Sequence, residues 1–380
     1  MDLYLFYAFI YIFLACIAKI SYTEITMKTP FISISLRKIK HNFNLIRKIC
    51  EDAKLQLTPV SKVVMGHPRI AGLYREKTHS IGDSRTYDIL RMKSHGIQGP
   101  FMLIRTPALS EANTVVEVAE ISMQSDLTIL SAINDAAIKL NKRHQVMVML
   151  EMGDLREGIL FEQLASFLTQ SRKFKGIEPV GIGTNATCFA GLIPTVDNLS
   201  FLYEATRIFE DLVQKEALVS GGGSNLIPLI LGKKLPSCIN HVRIGESIVM
   251  GVDAIHGAPI PGSYQDCFTL SGEIIELITK ASSISGPVAH NAFGESPAFK
   301  DAGPRKRALM NIGRLDTDIK QIQPINEGLT ILGASSDHLV LDAEEASYLK
   351  TGDILEFKLN YSSLLFAMNS VYVEKIFLEE

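Results

Sequence analysis

Between residues 55 and 250, short apolar runs alternate with stretches of helical length that carry one apolar face. The first such stretch, 36–53, sets Leu36, Ile39, Phe43, Ile46 and Ile49 at three- and four-residue intervals, the spacing of one helix face. The apolar runs fall at 55–62, 79–83, 101–105, 126–130, 145–152, 178–184, 217–220 and 240–244. Each is short and mostly apolar, as expected for a strand covered on both faces. Ser84 and Ser131 read as caps of helices over 85–94 and 132–143. Eight strand–helix alternations predict a (β/α)8 TIM barrel of the α/β class. A doubly wound sheet is the main competitor, but no G-x-G-x-x-G follows the first run.

The rhythm changes after Gly257, where Pro259, Pro261 and Gly262 break the chain. Strand-like runs then follow at 265–278, 306–313, 328–333, 338–341 and 353–359, with little helical periodicity. The expected organisation is a barrel over 27–258 and a C-terminal, mostly-β domain over 259–380. Ahead of both lies a hydrophobic leader, 1–26. Its segment 3–20 is long enough for a membrane span or a signal core. Asp2, however, stands where a signal peptide wants a cation, and Met27 opens a stretch suited to start a soluble domain. The leader reads as an anchor, an unusual signal or an upstream extension outside the working protein, and the third reading is preferred.

Hydrophobic content of 47% and charged content of 21% belong to a globular chain that can bury a large core. A net charge of −3 argues against a general nucleic-acid binder. The five cysteines are scattered, with no C-x-x-C pair, which disfavours a disulfide framework and a zinc site. They fit a reducing compartment, so the cytoplasm is the expected location, with a membrane anchor through 3–20 as the alternative.

The chemistry begins at Lys62, which ends the first apolar run. A lysine at the tip of a buried strand must reach water or be used. One use is a Schiff base with an aldehyde cofactor, because desolvation lowers the amine pKa and makes it nucleophilic. Barrels carry their chemistry at the C-terminal strand ends. The other tips here supply Asp83, Ser84 and Arg85; Arg105; Asp154 and Arg156; Thr184 and Asn185; the run 220–225 (Ser-Gly-Gly-Gly-Ser-Asn); and Arg243, Gly245 and Glu246. This set is polar, cationic and glycine-rich, and suits an anionic cofactor. Glycines let backbone N–H groups approach an oxyanion, and the seventh and eighth strands are where barrels bind phosphate.

These residues resemble the pyridoxal 5′-phosphate (PLP)-dependent alanine racemase family, and within it the alanine/ornithine racemase branch. The matching segments are 60–63 (Val-Ser-Lys-Val), 82–85 (Gly-Asp-Ser-Arg), 152–158 (Met-Gly-Asp-Leu-Arg-Glu-Gly), 181–185 (Gly-Ile-Gly-Thr-Asn), 220–222 (Ser-Gly-Gly) and 240–246 (Asn-His-Val-Arg-Ile-Gly-Glu). Further matches fall at 264–266, 333–338 and 359–361. The resemblance implies an isomerase that interconverts L- and D-amino acids, alanine or ornithine-like, by proton transfer at two faces. It implies that Lys62 carries the cofactor and serves one face. Gly222, Ser224, Gly245 and Glu246 would hold the phosphate, Arg243 would face the pyridine nitrogen, Arg156 would lie near the phenolic oxygen, and Asn185 would join the cofactor site. A permanent cation beside the ring nitrogen opposes its protonation and so favours racemisation over transamination. The resemblance also implies a homodimer in which the β domain of one chain closes the barrel of the other.

The second proton carrier does not carry over. The family uses a tyrosine of the β domain, where this chain has Phe293. Asp337 and Tyr361 are the preferred candidates, with His290, Tyr264 and His338 behind them. Other departures are His67 for aspartate, Gly223 for asparagine, Asn291 for an acid, Leu315 for glutamine and Phe366 for arginine. Competing functions are a PLP-holding protein without turnover and a barrel-type PLP decarboxylase or aldolase. The single-domain PLP-holding proteins lack a β domain. The cysteine and the metal ligands wanted by the decarboxylases and aldolases are not evident.

Overall fold

The structure is a computed structural model that describes residues 28–75 and 78–378. The leader at 1–26 lies outside them. Strand β1 (Phe31–Ser35) opens the described chain, and Ser35 caps the helix Leu36–Asp52 by accepting from Lys38 N.

Eight parallel strands follow: β2 (Gln56–Pro59), β3 (Ile81–Asp83), β4 (Phe101–Leu103), β5 (Ile121–Gln124), β6 (His144–Leu150), β7 (Ile177–Thr184), β8 (Leu218–Ser220) and β9 (His241–Ile244). They pair in the order β2-β9-β8-β7-β6-β5-β4-β3. A parallel bridge from Val60 to Gly82 joins the two ends and closes the barrel. Alternation along each strand sorts the side chains. Leu57, Ile81, Leu103, Val148, Ile182, Val219 and Val242 pack outward with helix residues such as Phe43 and Ile89. The other set faces the barrel interior. Met102, Met123, Met147 and Met149 fill part of it as a cluster of their own. Thr58, Ser220, His241 and Arg243 make the rest polar, and all four are buried.

Seven of the eight expected runs overlap a barrel strand. The run 126–130 does not. Asp126 accepts from Thr128 N at 2.7 Å and Ile129 N at 3.1 Å and caps the helix Leu127–Lys139, so Ser131 lies inside that helix rather than capping it. The true strand is β5, whose buried Ser122 and Gln124 weaken its apolar signature.

The second sheet contains β10 (Phe268–Ala281), β11 (Pro304–Met310), β12 (Ile322–Pro324), β13 (Thr330–Ala334), β14 (Leu339–Asp342), β15 (Ile354–Leu359) and β16 (Glu374–Leu378). Its order is β12-β15-β10-β11-β14-β13, and β1 inserts between β10 and β16. The first and last strands of the described chain are thus stitched into one sheet. Strands β1, β12 and β16 are additional to the expected runs. So is the helix Tyr361–Asn369, which Asn360 caps by accepting from Ser363 N at 3.3 Å. This helix packs against the 3-10 turn Lys62–Val64 and brings the C-terminal domain to the barrel mouth. Among the described residues no helix is long and apolar enough to cross a membrane.

Candidate active site

Lys62 sits where β2 gives way to a tight turn. Ser61 N donates to Gly82 O at 2.9 Å, and Val64 N and Gly66 N both donate to Ser61 O. The turn ends with Gly66 at φ +55, and a Cβ there would meet Asp88 O at 2.8 Å. Glycine is therefore needed for conformation and for space. Behind the turn, Ser61 Oγ donates to Asp83 Oδ2 at 2.6 Å, and Arg85 N donates to Asp83 Oδ1 at 3.0 Å. Burial first, and neighbouring Asp88 second, raise the Asp83 carboxyl above the usual carboxylate range. Lys62 is half-buried and opens onto a cavity of about 410 Å³ at the C-terminal end of the barrel strands.

Lys62, Arg156, Asn185, Ser224, Arg243, Gly245, Glu246 and Tyr361 all line this cavity. Eight of the sequence candidates therefore converge from six parts of the fold. Gly222 sits just behind the wall, its carbonyl accepting from Arg243 N at 2.8 Å. The glycine turn is tied down by Asn225, whose Oδ1 accepts from Gly223 N at 2.9 Å while its Nδ2 donates to Ala186 O at 3.0 Å. Ser224 Oγ accepts from Ser247 N at 3.1 Å, which leaves its own proton to donate. At Gly245 a Cβ would stand 3.0 Å from both Val60 Cβ and Val60 O, so the two strand tips touch only because no side chain intervenes.

Arg243 is 7% exposed. Its Nη2 donates to Thr184 O at 2.8 Å and its Nη1 donates to Ser220 Oγ. Both acceptors are neutral, so the charge is held without being neutralised. Burial pulls this guanidinium down to about 10, still protonated at any physiological pH. Arg156 is more open and pairs with Glu157 at 2.9 Å. With its amide oxygen turned toward Arg156, Asn185 accepts from Arg156 Nη2 at 2.9 Å. Three cations, Lys62, Arg156 and Arg243, thus face two carboxylates, Glu157 and Glu246. Burial raises Glu246, while the nearby Lys62 amine opposes the shift.

Tyr361 is the first residue of its helix. Burial, and then Glu246, raise the phenol above its ordinary value, so it stays protonated. A protonated phenol has a hydrogen to donate into the cavity. Asp337 does not line the cavity of its own chain. It lies exposed in the β13–β14 loop, accepting from Ser336 Oγ at 2.5 Å. His290, exposed, is 2.9 Å from Ser296 Oγ, His338 is exposed in the Asp337 loop, and Tyr264 packs against His41. None of these lines the cavity. Glu157, Thr187, Cys188 and Asn225 do, without having been singled out as site residues. Asn225 carried a signal in the 220–225 turn and Glu157 in the 152–158 segment. Thr187 and Cys188 lie in a loop with no strand-tip pattern. Phe293 stands apart, its ring 4.0 Å from the Arg314 guanidinium, which also pairs with Glu295. Among the described residues no group of three or more potential ligands could hold a metal ion.

The family model described as "Alanine racemase, N-terminal domain" matches residues 34–253. An ornithine racemase of Acetoanaerobium sticklandii is 39% identical over 91% of this chain and 99% of its own length. A lysine racemase of Thermotoga maritima is 35% identical over 92% of this chain and 99% of its own length. Among solved structures, alanine racemase from Bartonella henselae with covalently bound pyridoxal phosphate superposes with a TM-score of 0.68 at 16% identity, covering 92% of this chain and 100% of that one. The barrel, the appended sheet and the shared sequence lead to one assignment: the chain belongs to the alanine racemase family.

Proposed function

We propose that the protein is a PLP-dependent amino-acid racemase whose substrate is ornithine or a related diamino acid. The observation that carries this is the meeting of Lys62, Arg243 and Ser224 in one cavity. The names of the two relatives at 39% and 35% identity support the substrate class.

The residues fit the cofactor. The cavity offers an amine at Lys62, an unused hydroxyl proton at Ser224, a close-packed glycine cradle at Gly245 and an excess of cations. Lys62 would hold the aldehyde carbon. Ser224, with the backbone at Gly222, Gly245 and Glu246, would hold the phosphate, and the Tyr361 phenol would add a donor from the C-terminal domain. Arg243 would face the ring nitrogen, and Arg156 the phenolic side, with Asn185 steadying it. When bound, PLP acidifies the α-hydrogen of an attached amino acid. Lys62 Nζ then takes or returns that proton on one face. Glu246 keeps the amine within reach of a counter-charge. Arg243, a fixed cation, discourages protonation at the ring nitrogen and keeps the exchange at the α-carbon.

The second face needs a proton carrier other than Lys62. We infer a homodimer that supplies it from the loop edge of the C-terminal sheet. That edge gathers Phe293, Arg314 and Asp337: Arg314 bonds Glu295 on one side and the carbonyls of Ala334 and Ser335 on the other. Leu315 beside them is 54% exposed, an apolar surface a second subunit could cover. Asp337 is the proton carrier we assign to that edge.

Chiral chromatography of reactions with L-ornithine, L-lysine, L-alanine and L-serine tests the reading. Stereoinversion of a diamino acid is expected. Bound cofactor with no inversion of any substrate would favour the PLP-holding alternative, and loss of carboxylate or aldehyde formation would favour the decarboxylase or aldolase.

A further inference from the structure

Arg243 is the head of a hydrogen-bond chain through the barrel interior. Its Nη1 donates to Ser220 Oγ. Ser220 Oγ is 2.7 Å from His241 Nδ1, His241 Nε2 is 2.8 Å from Thr58 Oγ1, and Thr58 Oγ1 is 2.6 Å from Ser80 Oγ. Ser220, His241, Thr58 and Ser80 are each more than nine-tenths buried. Ser80, Thr58 and His241 border a second cavity, of about 490 Å³, at the opposite end of the barrel.

The direction of every proton in this chain follows from its head. A guanidinium can only donate, so Ser220 Oγ accepts from it. The remaining Ser220 proton has one acceptor within reach, His241 Nδ1. That nitrogen is then bare and Nε2 carries the hydrogen, which goes to Thr58 Oγ1. Thr58 passes its own proton to Ser80. Reversing the histidine would leave the Ser220 proton buried without an acceptor, a cost of roughly 1–3 kcal/mol.

We propose that Ser220 and His241 are positioning residues for Arg243: they form a neutral, one-way relay that fixes the guanidinium while leaving its charge uncompensated. Burial, with the Arg243 charge in support, holds the imidazole down at about 3, consistent with a ring that stays neutral. A carboxylate at either position would offset the cation that Arg243 presents to the cavity. The relay supplies orientation without that loss.

This inference rests on the proposed racemase for its functional part, and the test separates the two. The apoprotein, labelled with 15N-histidine, is read by long-range proton–nitrogen correlation, with His241 assigned through His241→Gln. The expected result is hydrogen on Nε2, a bare Nδ1, and no titration of this ring between pH 8 and pH 5. Hydrogen on Nδ1, or titration near the ordinary histidine value, overturns the relay whatever the protein catalyses. In the PLP-loaded enzyme, Ser220→Ala and His241→Phe are then compared for the ratio of 2-oxo acid to inverted amino acid. The oxo acid arises when the amino group passes to the cofactor. A rise of roughly tenfold is expected, the scale of one lost charge-assisted hydrogen bond. An unchanged ratio in both folded variants overturns the positioning role. A relay seen in the apoprotein beside a wild type that inverts nothing would instead remove the racemase reading and leave the chain of bonds standing.

Discussion

Tyr361 and Lys62 face one cavity from two domains of the same chain. The helix that Tyr361 opens rests on the turn that Lys62 begins, so the C-terminal domain buttresses the lysine directly. The site is therefore built at a domain junction, and changes in either domain should be felt there.

Tyr361→Phe removes one donor and little volume. Because burial keeps the phenol protonated, the expected effect is a looser cofactor, about 10- to 100-fold weaker, the scale of one hydrogen bond to a charged group. Fluorescence titration of the apoprotein with PLP measures this. A kcat loss above about a thousandfold at saturating cofactor, with affinity unchanged, would instead mark Tyr361 as a proton carrier.

Gly245→Ala would press a methyl against Val60 Cβ and Val60 O, each 3.0 Å away. The strand tips must separate, at a cost of about 1–3 kcal/mol in stability. Urea unfolding should show the loss together with weaker cofactor binding. Full stability and full affinity would mean that the cradle is softer than the packing requires.

Much of this site was legible because backbone chemistry writes itself into sequence. Lys62 after an apolar run, Gly245 between Ile244 and Glu246, and the glycines at 221–223 are positions where strand, turn and close approach leave few residue choices. The barrel was legible for the same reason, with the exception of β5, where Ser122 and Gln124 break the apolar run and Asp126 begins the next helix. The contribution of Tyr361 from a capped helix depends on how one domain folds back on the other, and no local pattern encodes that. Strand β1 is an alternating apolar segment at the start of the barrel half. Its partners β10 and β16 lie far along the chain, so nothing nearby announces its place in the second sheet. The relay from Arg243 to Ser80 joins four strand tips and interiors, and only the closed barrel brings them together.

Two buried histidines give the fold an acid limit. Burial lowers His144 to about 4 and His241 to about 3, both below the ordinary value of 6.5. A depressed histidine contributes stability that is complete above 6.5 and is lost as pH falls toward the folded-state value. The unfolded chain binds protons there that the folded one refuses. The unfolding free energy from urea melts should therefore fall steadily from pH 6.5 to pH 4, on the scale of about 1.4 kcal/mol per pH unit per group. His144→Gln should flatten the slope. An equal slope in the variant would show that other groups set the acid limit.

Subunit complementation tests the homodimer and the role of Asp337 together. Lys62→Ala and Asp337→Asn should each be inactive alone. Mixed and allowed to exchange subunits, they should regain activity, because one site of each hybrid then has both wild-type residues. Sedimentation should give a dimer mass. A monomer, or a hybrid as inactive as its parents, would place the second proton carrier elsewhere.

In the proposed enzyme the Lys62 amine bonds PLP inside the barrel mouth. Borohydride reduction of the PLP-incubated protein, followed by peptide mass spectrometry, reads that bond directly. A phosphopyridoxyl group is expected on Lys62, and none on Lys62→Ala. An unmodified Lys62, or a label confined to other lysines, would contradict that bond.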